Sequence, residues 1–404
     1  MRILVISQYP IHPAIHGGQK RVSAIVDAYK KSHSVKHVAI FWQGGYRTFN
    51  DENSVHLEIG DKRLLSEVML HPERSDLLLG RGLVSRKSKA YSELRLTIQT
   101  FNPQLIHVEQ PYLVACIKKI IADMEVTPVL VHGSQNVEYQ LKSSIYTQSD
   151  LSAIDLRYLL DNTDRIEKNA SMSADINIGV SRTDVRTLRR KTKSVPWFVV
   201  PNGTVYREVY DLKKPGVEGK KAKIIFVGSA HPPNYAGIES LVYDTSYLSK
   251  DNLIFLIGGV ADYFVSKYGK DDPFWVGKTA IGQVSDEVLR GYIDEADIII
   301  LPINTGGGSN LKTAEALYSH KKVVGTSFAF RGFERYQSFP NVYIANNPSE
   351  FKDALLGAQL AILKPYTQHE ERLIKRLSWE YTLRPLRLVV LFARILLIFR
   401  ARRG

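Results

Sequence analysis

Apolar residues in this chain fall in short dense runs separated by longer amphipathic stretches. Runs at 3–6, 35–41, 105–108, 129–131, 176–180 and 198–200 are rich in Val and Ile. Four more follow at 224–229, 253–257, 298–301 and 322–326. Runs of this length and composition predict parallel strands buried on both faces. Helical spacing at 19–31, 112–124, 155–173, 286–295 and 310–319 places helices between them. Alternation of this kind predicts a doubly wound α/β architecture. Residues 44–100 lack a clear period and carry a basic run at 81–89, which reads as a solvated face or an acceptor or membrane contact. The stretch 213–223, with Pro215, Gly216 and Gly219, reads as a linker. The expected division is 1–203, 204–370 and a C-terminal segment 371–404.

Length changes this picture little, since 404 residues suffice for two ordinary domains. Charge changes it more. Lys and Arg total 54 against 41 Asp and Glu, leaving +13, which suits a polyanionic partner. No nucleic-acid recognition motif accompanies that charge, so no nucleic-acid partner is expected. A single cysteine, Cys116, excludes an intrachain disulfide framework and fits a reducing compartment, where a core thiol is its expected role. The first residues form a strand too short and too soon broken by Pro10 to act as a secretory leader.

The chemistry concentrates at 296–334. A buried run, Ile298 to Leu301, leads into Gly306, Gly307 and Gly308, then Ser309 as the expected N-cap of a helix. Glycines admit a ligand close to the backbone, and a helix start offers amide groups at its positive end. Lys312 in the first turn opposes the macrodipole by roughly 0.3–1 kcal/mol, a penalty that a bound anion would reverse. Glu315 shares its helical face. A phosphate-and-sugar site and a plain tight turn with a solvated ion pair both fit this spacing. Gly17-Gly18 before Lys20 and Arg21 is a second arrangement of the same kind. So is the strand end at His132-Gly133-Ser134-Gln135-Asn136, because open α/β sheets bind ligands beyond the C-terminal ends of their strands.

Taken together these segments resemble retaining GT-B glycosyltransferases of family 4, triple-glycine subgroup. The resemblance runs through Gly17-Gly18, Ser181 to Asp184, Pro201-Asn202-Gly203, Val227-Gly228-Ser229 with Pro233-Asn234, Gly282-Gln283-Val284, Gly306 to Gly308, Lys312, Glu315-Ala316, Val323-Val324 and Trp379-Glu380. It implies two Rossmann-like domains facing across a cleft, with a C-terminal crossover helix and an apolar-basic tail. It also implies transfer of a sugar from a nucleotide-sugar to a saccharide or glycolipid acceptor with retention. The implied donor contacts are Gly17, Gly18, Gly228, Ser229, Asn234, Gln283, Val284, Gly306, Gly307, Gly308, Lys312 and Glu315. The catalytic segment, His-Asn-Val-Glu in the family, corresponds to Gln135, Asn136 and Glu138, with His132 as the nearby imidazole. Two departures stand out. Gly307 occupies the place of a Glu that contacts the transferred sugar, and Gln135 replaces the titratable histidine.

No Asp-x-Asp pair for Mn²⁺ and no zinc-type His/Cys spacing occurs, so neither metal nor other cofactor is expected. A sugar-nucleotide epimerase, a phosphorylase of the same fold and a non-catalytic nucleotide-sugar-binding subunit are the alternatives. The tail, LRLVVLFARILLIF at 386–399, is apolar except for Arg387 and Arg394, and Arg400, Arg402 and Arg403 follow. At about 1.5 Å per residue it is too short to span a bilayer comfortably. It reads as an interfacial helix on an anionic membrane or as a helix packed into protein. A cytoplasmic enzyme, peripheral on the inner face of the cell membrane, is the expectation.

Overall fold

The computed structural model describes residues 1–46, 54–85, 88–124, 127–147, 149–192, 195–205, 222–248 and 253–402. Residues 213–221 of the expected linker, Arg86 and Lys87 of the basic run, and Arg403 lie outside them. The chain divides into two compact units, Met1–Asn202 with Thr382–Gly404, and Gly203–Tyr381.

Unit 1 begins with β1 (Arg2–Ser7), α1 (Gly17–Lys30), β2 (Ser34–Trp42) and β3 (Ser54–Ile59). Helices α2 (Lys62–Leu70), α3 (Ser75–Leu83) and α4 (Lys89–Phe101) lead to β4 (Leu105–Glu109) and α5 (Val114–Ala122). Then come β5 (Val129–Ser134), α6 (Glu138–Tyr146), α7 (Ala153–Ser173), β6 (Ile176–Gly179), α8 (Arg182–Lys191) and β7 (Trp197–Val199). The seven strands form one sheet in the order β3-β2-β1-β4-β5-β6-β7. Every neighbouring pair is parallel.

Unit 2 comprises β8 (Ile224–Val227), α9 (Pro232–Leu241), β9 (Ile254–Ile257), α10 (Gly259–Tyr268), β10 (Lys278–Gly282) and α11 (Asp286–Glu295). It continues with β11 (Ile298–Leu301), α12 (Leu311–Tyr318), β12 (Lys322–Gly325), β13 (Val342–Ile344), α13 (Pro348–Leu360), α14 (Gln368–Lys375) and α15 (Trp379–Thr382). Its six parallel strands are ordered β10-β9-β8-β11-β12-β13. Both units are thus Rossmann-like, the doubly wound class expected from the alternation of runs.

The pattern reading missed β3, β10 and β13, and each is an edge strand. An edge strand buries less, so its apolar run is broken. In β3, Leu57 and Ile59 are buried while Ser54, His56 and Glu58 alternate with Val55 and these two. Helices α2 to α4 occupy the stretch that showed no period. Their inward residues, Leu64, Leu78, Leu79, Leu83, Leu94 and Ile98, join the core beneath β1, β2 and β4. At the described ends of the basic run, Arg81 and Lys89 are exposed, and Lys89 pairs with Glu93 at 3.4 Å.

The tail forms α16 (Leu386–Ala401), and it belongs to unit 1. Leu386, Val389, Val390 and Ala393 are buried. Phe392 packs edge-on against Phe198 of β7 at 6.1 Å. Near its end, Arg400 bonds the Pro128 carbonyl at 3.1 Å and Asp175 at 2.5 Å, gripping the chain where it enters β5 and β6. No helix among the described residues is long and apolar enough to cross a membrane.

Candidate functional site

In unit 2 the strand order reverses between β8 and β11, and in such sheets the crevice beyond the carboxyl ends at that point receives the ligand. The loops that leave these two strands carry the predicted donor residues. After β8, Gly228 is fixed by donating to Ile257 O at 2.9 Å and accepting from Val260 N at 3.0 Å. Ser229 is exposed, and buried Asn234, in the first turn of α9, donates to the Ser229 carbonyl at 2.9 Å. After β11, Gly237 of α9 lets the helix approach so closely that a Cβ there would lie 1.6 Å from Pro302 O. That approach sets the glycine loop against α9, with Gly306 (φ 120°) beside Pro233.

Gly306 and Gly308 (φ 60°) both occupy the left-handed region, which gives the run its physical reason. Arg331, in the segment after β12, holds the loop from behind. Its Nε donates to Gly308 O at 2.5 Å and its Nη1 to Gly306 O at 3.2 Å, while the guanidinium lies over Phe328 at 4.3 Å. With those carbonyls directed at Arg331, trans peptide planarity turns the following amides, of Gly307 and Ser309, to the opposite side. Two amides of the loop thereby face away from Arg331.

Helix α12 follows, capped by Asn310 and not by Ser309 as expected. The Asn310 side chain accepts from Lys312 N at 3.3 Å. Thr313, Ala314, Ala316 and Leu317 are buried, whereas Lys312 and Glu315 lie half-buried on the remaining face. Thr313 also anchors the helix by donating to Ala329 O at 2.5 Å. Gln283 and Val284 follow β10 and are half-buried or exposed. Gly259 lies between Ala230 and Gln283, and a Cβ there would stand 3.6 Å from the Gln283 amide nitrogen. The structure therefore gathers Gly228, Ser229, Asn234, Gln283, the glycine loop, Lys312 and Glu315 along the carboxyl edge of one sheet.

In unit 1 the corresponding reversal falls between β1 and β4. Helix α1 starts there, with His16 as N-cap and Gln19 closing the capping box. Neither Gly17 nor Gly18 has a positive φ. Gly18 instead makes room, since a Cβ would lie 2.4 Å from the Tyr9 hydroxyl. That hydroxyl meets Gln135, whose Nε2 lies 2.8 Å from it and donates to Glu109 Oε2 at 2.8 Å. Glu109, fully buried, also receives His107 Nε2 at 3.1 Å and Arg21 Nε at 3.4 Å. Gly133 is required by this cluster, because a Cβ there would stand 2.2 Å from Glu109 Oε1. Burial pushes the Glu109 carboxyl upward, but Arg21, His107 and Gln135 outweigh it and hold the pKa at about 2. An ionised Glu109 only accepts, so His107 donates from Nε2, and its Nδ1 meets the Tyr29 hydroxyl at 3.1 Å.

His132 is fully buried in β5, where Nδ1 meets Asn177 Oδ1 at 2.9 Å. Burial lowers its pKa to about 4 and keeps it neutral at physiological pH. Glu138 is buried at the start of α6, accepting from Tyr112 at 3.0 Å and Asn136 at 3.1 Å, and burial raises its pKa. Of the four residues expected on the sugar side, His132, Gln135 and Glu138 are buried and Asn136 is half-buried. Two further motif residues have structural partners. Ser181 caps α8 through Asp184 N, and Asn202 accepts from Arg21 at 3.0 Å. Cys116 donates to Leu113 O, and burial pushes its thiol up to about 12.

Sequence reasoning missed Arg331 and the Glu109 cluster. Arg331 sits 23 residues beyond Gly308, so no spacing rule joins them. The signal available for Glu109 was a charged residue closing an otherwise apolar strand. Replacing Arg331 by alanine is expected to loosen the glycine loop and weaken binding of a diphosphate anion there roughly tenfold, the scale of one lost charge-assisted bond. Calorimetric titration checks this, and unchanged affinity would remove Arg331 from the site.

Comparison with known proteins places this architecture. No protein-family model and no curated protein sequence matches the chain. Solved structures do. Sucrose-phosphate synthase from Thermosynechococcus elongatus superposes with a TM-score of 0.71 at 15% identity, covering 98% of this chain and 99% of that one. A UDP-forming α,α-trehalose-phosphate synthase from Burkholderia vietnamiensis gives 0.62 at 13% identity, covering 99% of each chain. The Anabaena protein HepE, in complex with UDP, gives 0.60 at 10% identity, covering 96% and 99%. The fold is GT-B, two Rossmann-like units in one chain.

Proposed function

We propose that this protein is a glycosyltransferase that moves a hexose from a nucleotide-sugar to a lipid-linked or polysaccharide acceptor with retention, in cell-surface glycan synthesis. The observation that carries the reading is the loop at the switch point of unit 2, where Arg331 holds the Gly306 and Gly308 carbonyls and the amides of Gly307 and Ser309 face the other way, just before Lys312 and Glu315 of α12. Its fold neighbours include named synthases and a complex with UDP, which supports a nucleoside diphosphate as the anion. In this reading the loop amides, the α12 N-terminus and Lys312 stabilise the departing diphosphate, while Glu315 holds a ribose hydroxyl. Asn136 is the side chain of this segment of unit 1 suited to touch the acceptor. Gln135 and His132 position it by fixing the ends of β4, β5 and β6.

A panel of nucleotide-sugars, incubated with a lipid-linked acceptor extract and read by mass spectrometry, tests this. The expected result is one glycosylated product and the free nucleoside diphosphate. Isomerised nucleotide-sugar without acceptor would make the protein an epimerase, and binding without any product would make it a non-catalytic subunit. Metal independence belongs to the same proposal. Among the described residues no three His, Cys, Asp or Glu side chains lie together as a metal site. With Lys312 and the α12 N-terminus acting in place of a cation, turnover is expected to persist after exhaustive chelation, whereas loss on EDTA treatment restored by Mn²⁺ or Mg²⁺ would overturn that part.

A further inference from the structure

Helix α16 is two-faced in a way the tail sequence alone does not reveal. Its buried residues Leu386, Val389, Val390 and Ala393 lie on one side, packed into unit 1. On the opposite side, at helical spacing, Leu388, Leu391, Ile395, Ile398 and Phe399 are 40–56% exposed. Packing against protein thus accounts for half of the helix and leaves a continuous apolar stripe in solvent, more than single scattered residues would explain. Arg387 and Arg394 border this stripe and Arg402 closes it, all three exposed. The helix contains no acidic residue.

The surroundings extend the charge. His33, in the turn between α1 and β2, has its pKa lowered first by burial and then by the positive charges of the N-terminal amine and Arg394. Arg394 therefore stands close to the end of α1, which exposes Lys30 and Lys31. An apolar stripe bordered by basic residues from two elements matches a surface with an apolar interior and anionic headgroups.

We propose that the outer face of α16, with the basic end of α1, docks unit 1 on an anionic lipid bilayer, the helix lying in the plane of the interface. Self-association through this stripe would bring the arginines bordering it in two copies toward each other, with no acid on the helix to pair with them. A lipid surface offers the opposite sign. This deepens the proposed function, because an enzyme held on a bilayer acts on a lipid-linked acceptor. Docking itself is measurable without turnover.

Co-sedimentation of the full chain with vesicles tests it. Binding is expected to vesicles containing phosphatidylglycerol, to be much weaker to phosphatidylcholine alone, and to fall in part at high salt. A triple variant, Leu391→Gln, Ile398→Gln and Phe399→Gln, alters only exposed positions and is expected to bind at least roughly tenfold more weakly. Lys30→Gln with Lys31→Gln, and Arg394→Gln with Arg402→Gln, should each lose roughly fivefold per charge removed. Lys312→Ala should sediment as the parent does, which separates failure of docking from failure of the transferase reading. Undiminished binding by the triple variant, or equal binding to neutral and anionic vesicles, would overturn the proposal. So would self-association in sedimentation equilibrium that the triple variant abolishes, in a protein that ignores vesicles.

Discussion

Substituting Lys312 by alanine is expected to lower nucleotide-sugar affinity by about one to two decades and to remove most turnover. The scale is that of one charge-assisted contact to a diphosphate, roughly 1.5–3 kcal/mol. The same change should leave the unliganded fold intact. Lys312 lies in the first turn of α12, where its charge opposes the helix dipole by roughly 0.3–1 kcal/mol until an anion arrives. The core contacts of α12 come from Thr313, Ala314, Ala316 and Leu317, so the truncation opens no cavity. Glu315→Ala should reduce affinity on a similar scale through loss of the ribose contact. Calorimetric titration with a nucleoside diphosphate, beside thermal unfolding of the free protein, separates the two effects. A Lys312→Ala protein that melts as the parent does yet binds weakly supports the assignment. Parental affinity in both variants would mean that the glycine loop is an ordinary tight turn.

Much of the frame was legible because it rests on local patterns. Buried parallel strands have no solvent face, so β1, β2, β4, β8, β11 and β12 appear as continuous Val/Ile/Leu-rich runs that periodicity detects directly. The glycine loop was legible because glycine takes the positive φ values at 306 and 308 without strain. What stayed hidden depends on contacts distant in sequence. Gly18 and Gly133 looked like parts of a ligand loop, but each owes its identity to a side chain brought against it, Tyr9 in one case and Glu109 in the other. Gln135 stands where the resemblance places a catalytic histidine, and nothing local shows that its amide is engaged by Tyr9 and Glu109. The tail posed the same problem. Its composition indicated that a cover was required, yet only packing could show which stripe unit 1 covers and which it leaves exposed.

The largest expected loss of stability comes from Glu109→Gln. Glu109 and Arg21 are 0% and 1% exposed, so the carboxylate and the guanidinium share a site that water does not reach. Arg21 keeps bonds to Val200 O and Asn202 Oδ1 at 3.0 Å each, but a neutral amide no longer offsets its charge. Breaking a buried pair by removing one partner costs about 3–5 kcal/mol. The carboxyl itself gives a consistent scale, since its pKa falls from 4.5 to about 2 on folding. That difference corresponds to about 3 kcal/mol. Because the folded value is depressed, this stabilisation is fully present above pH 4.5 and disappears as pH falls toward 2. Urea unfolding at neutral pH should therefore show Glu109→Gln destabilised by about 3 kcal/mol. The gap to the parent should narrow progressively between pH 4.5 and about 2, where the parent carboxyl is itself protonated. A second variant distinguishes loss of charge from loss of shape. Arg21→Met combined with Glu109→Leu removes both charges and should recover part of the deficit, as apolar replacements of buried pairs do. A gap that stays constant from pH 7 to pH 3 would show that Glu109 acts through packing alone. Its charge would then play no part in holding Gln135 and the ends of β4 and β5 in place.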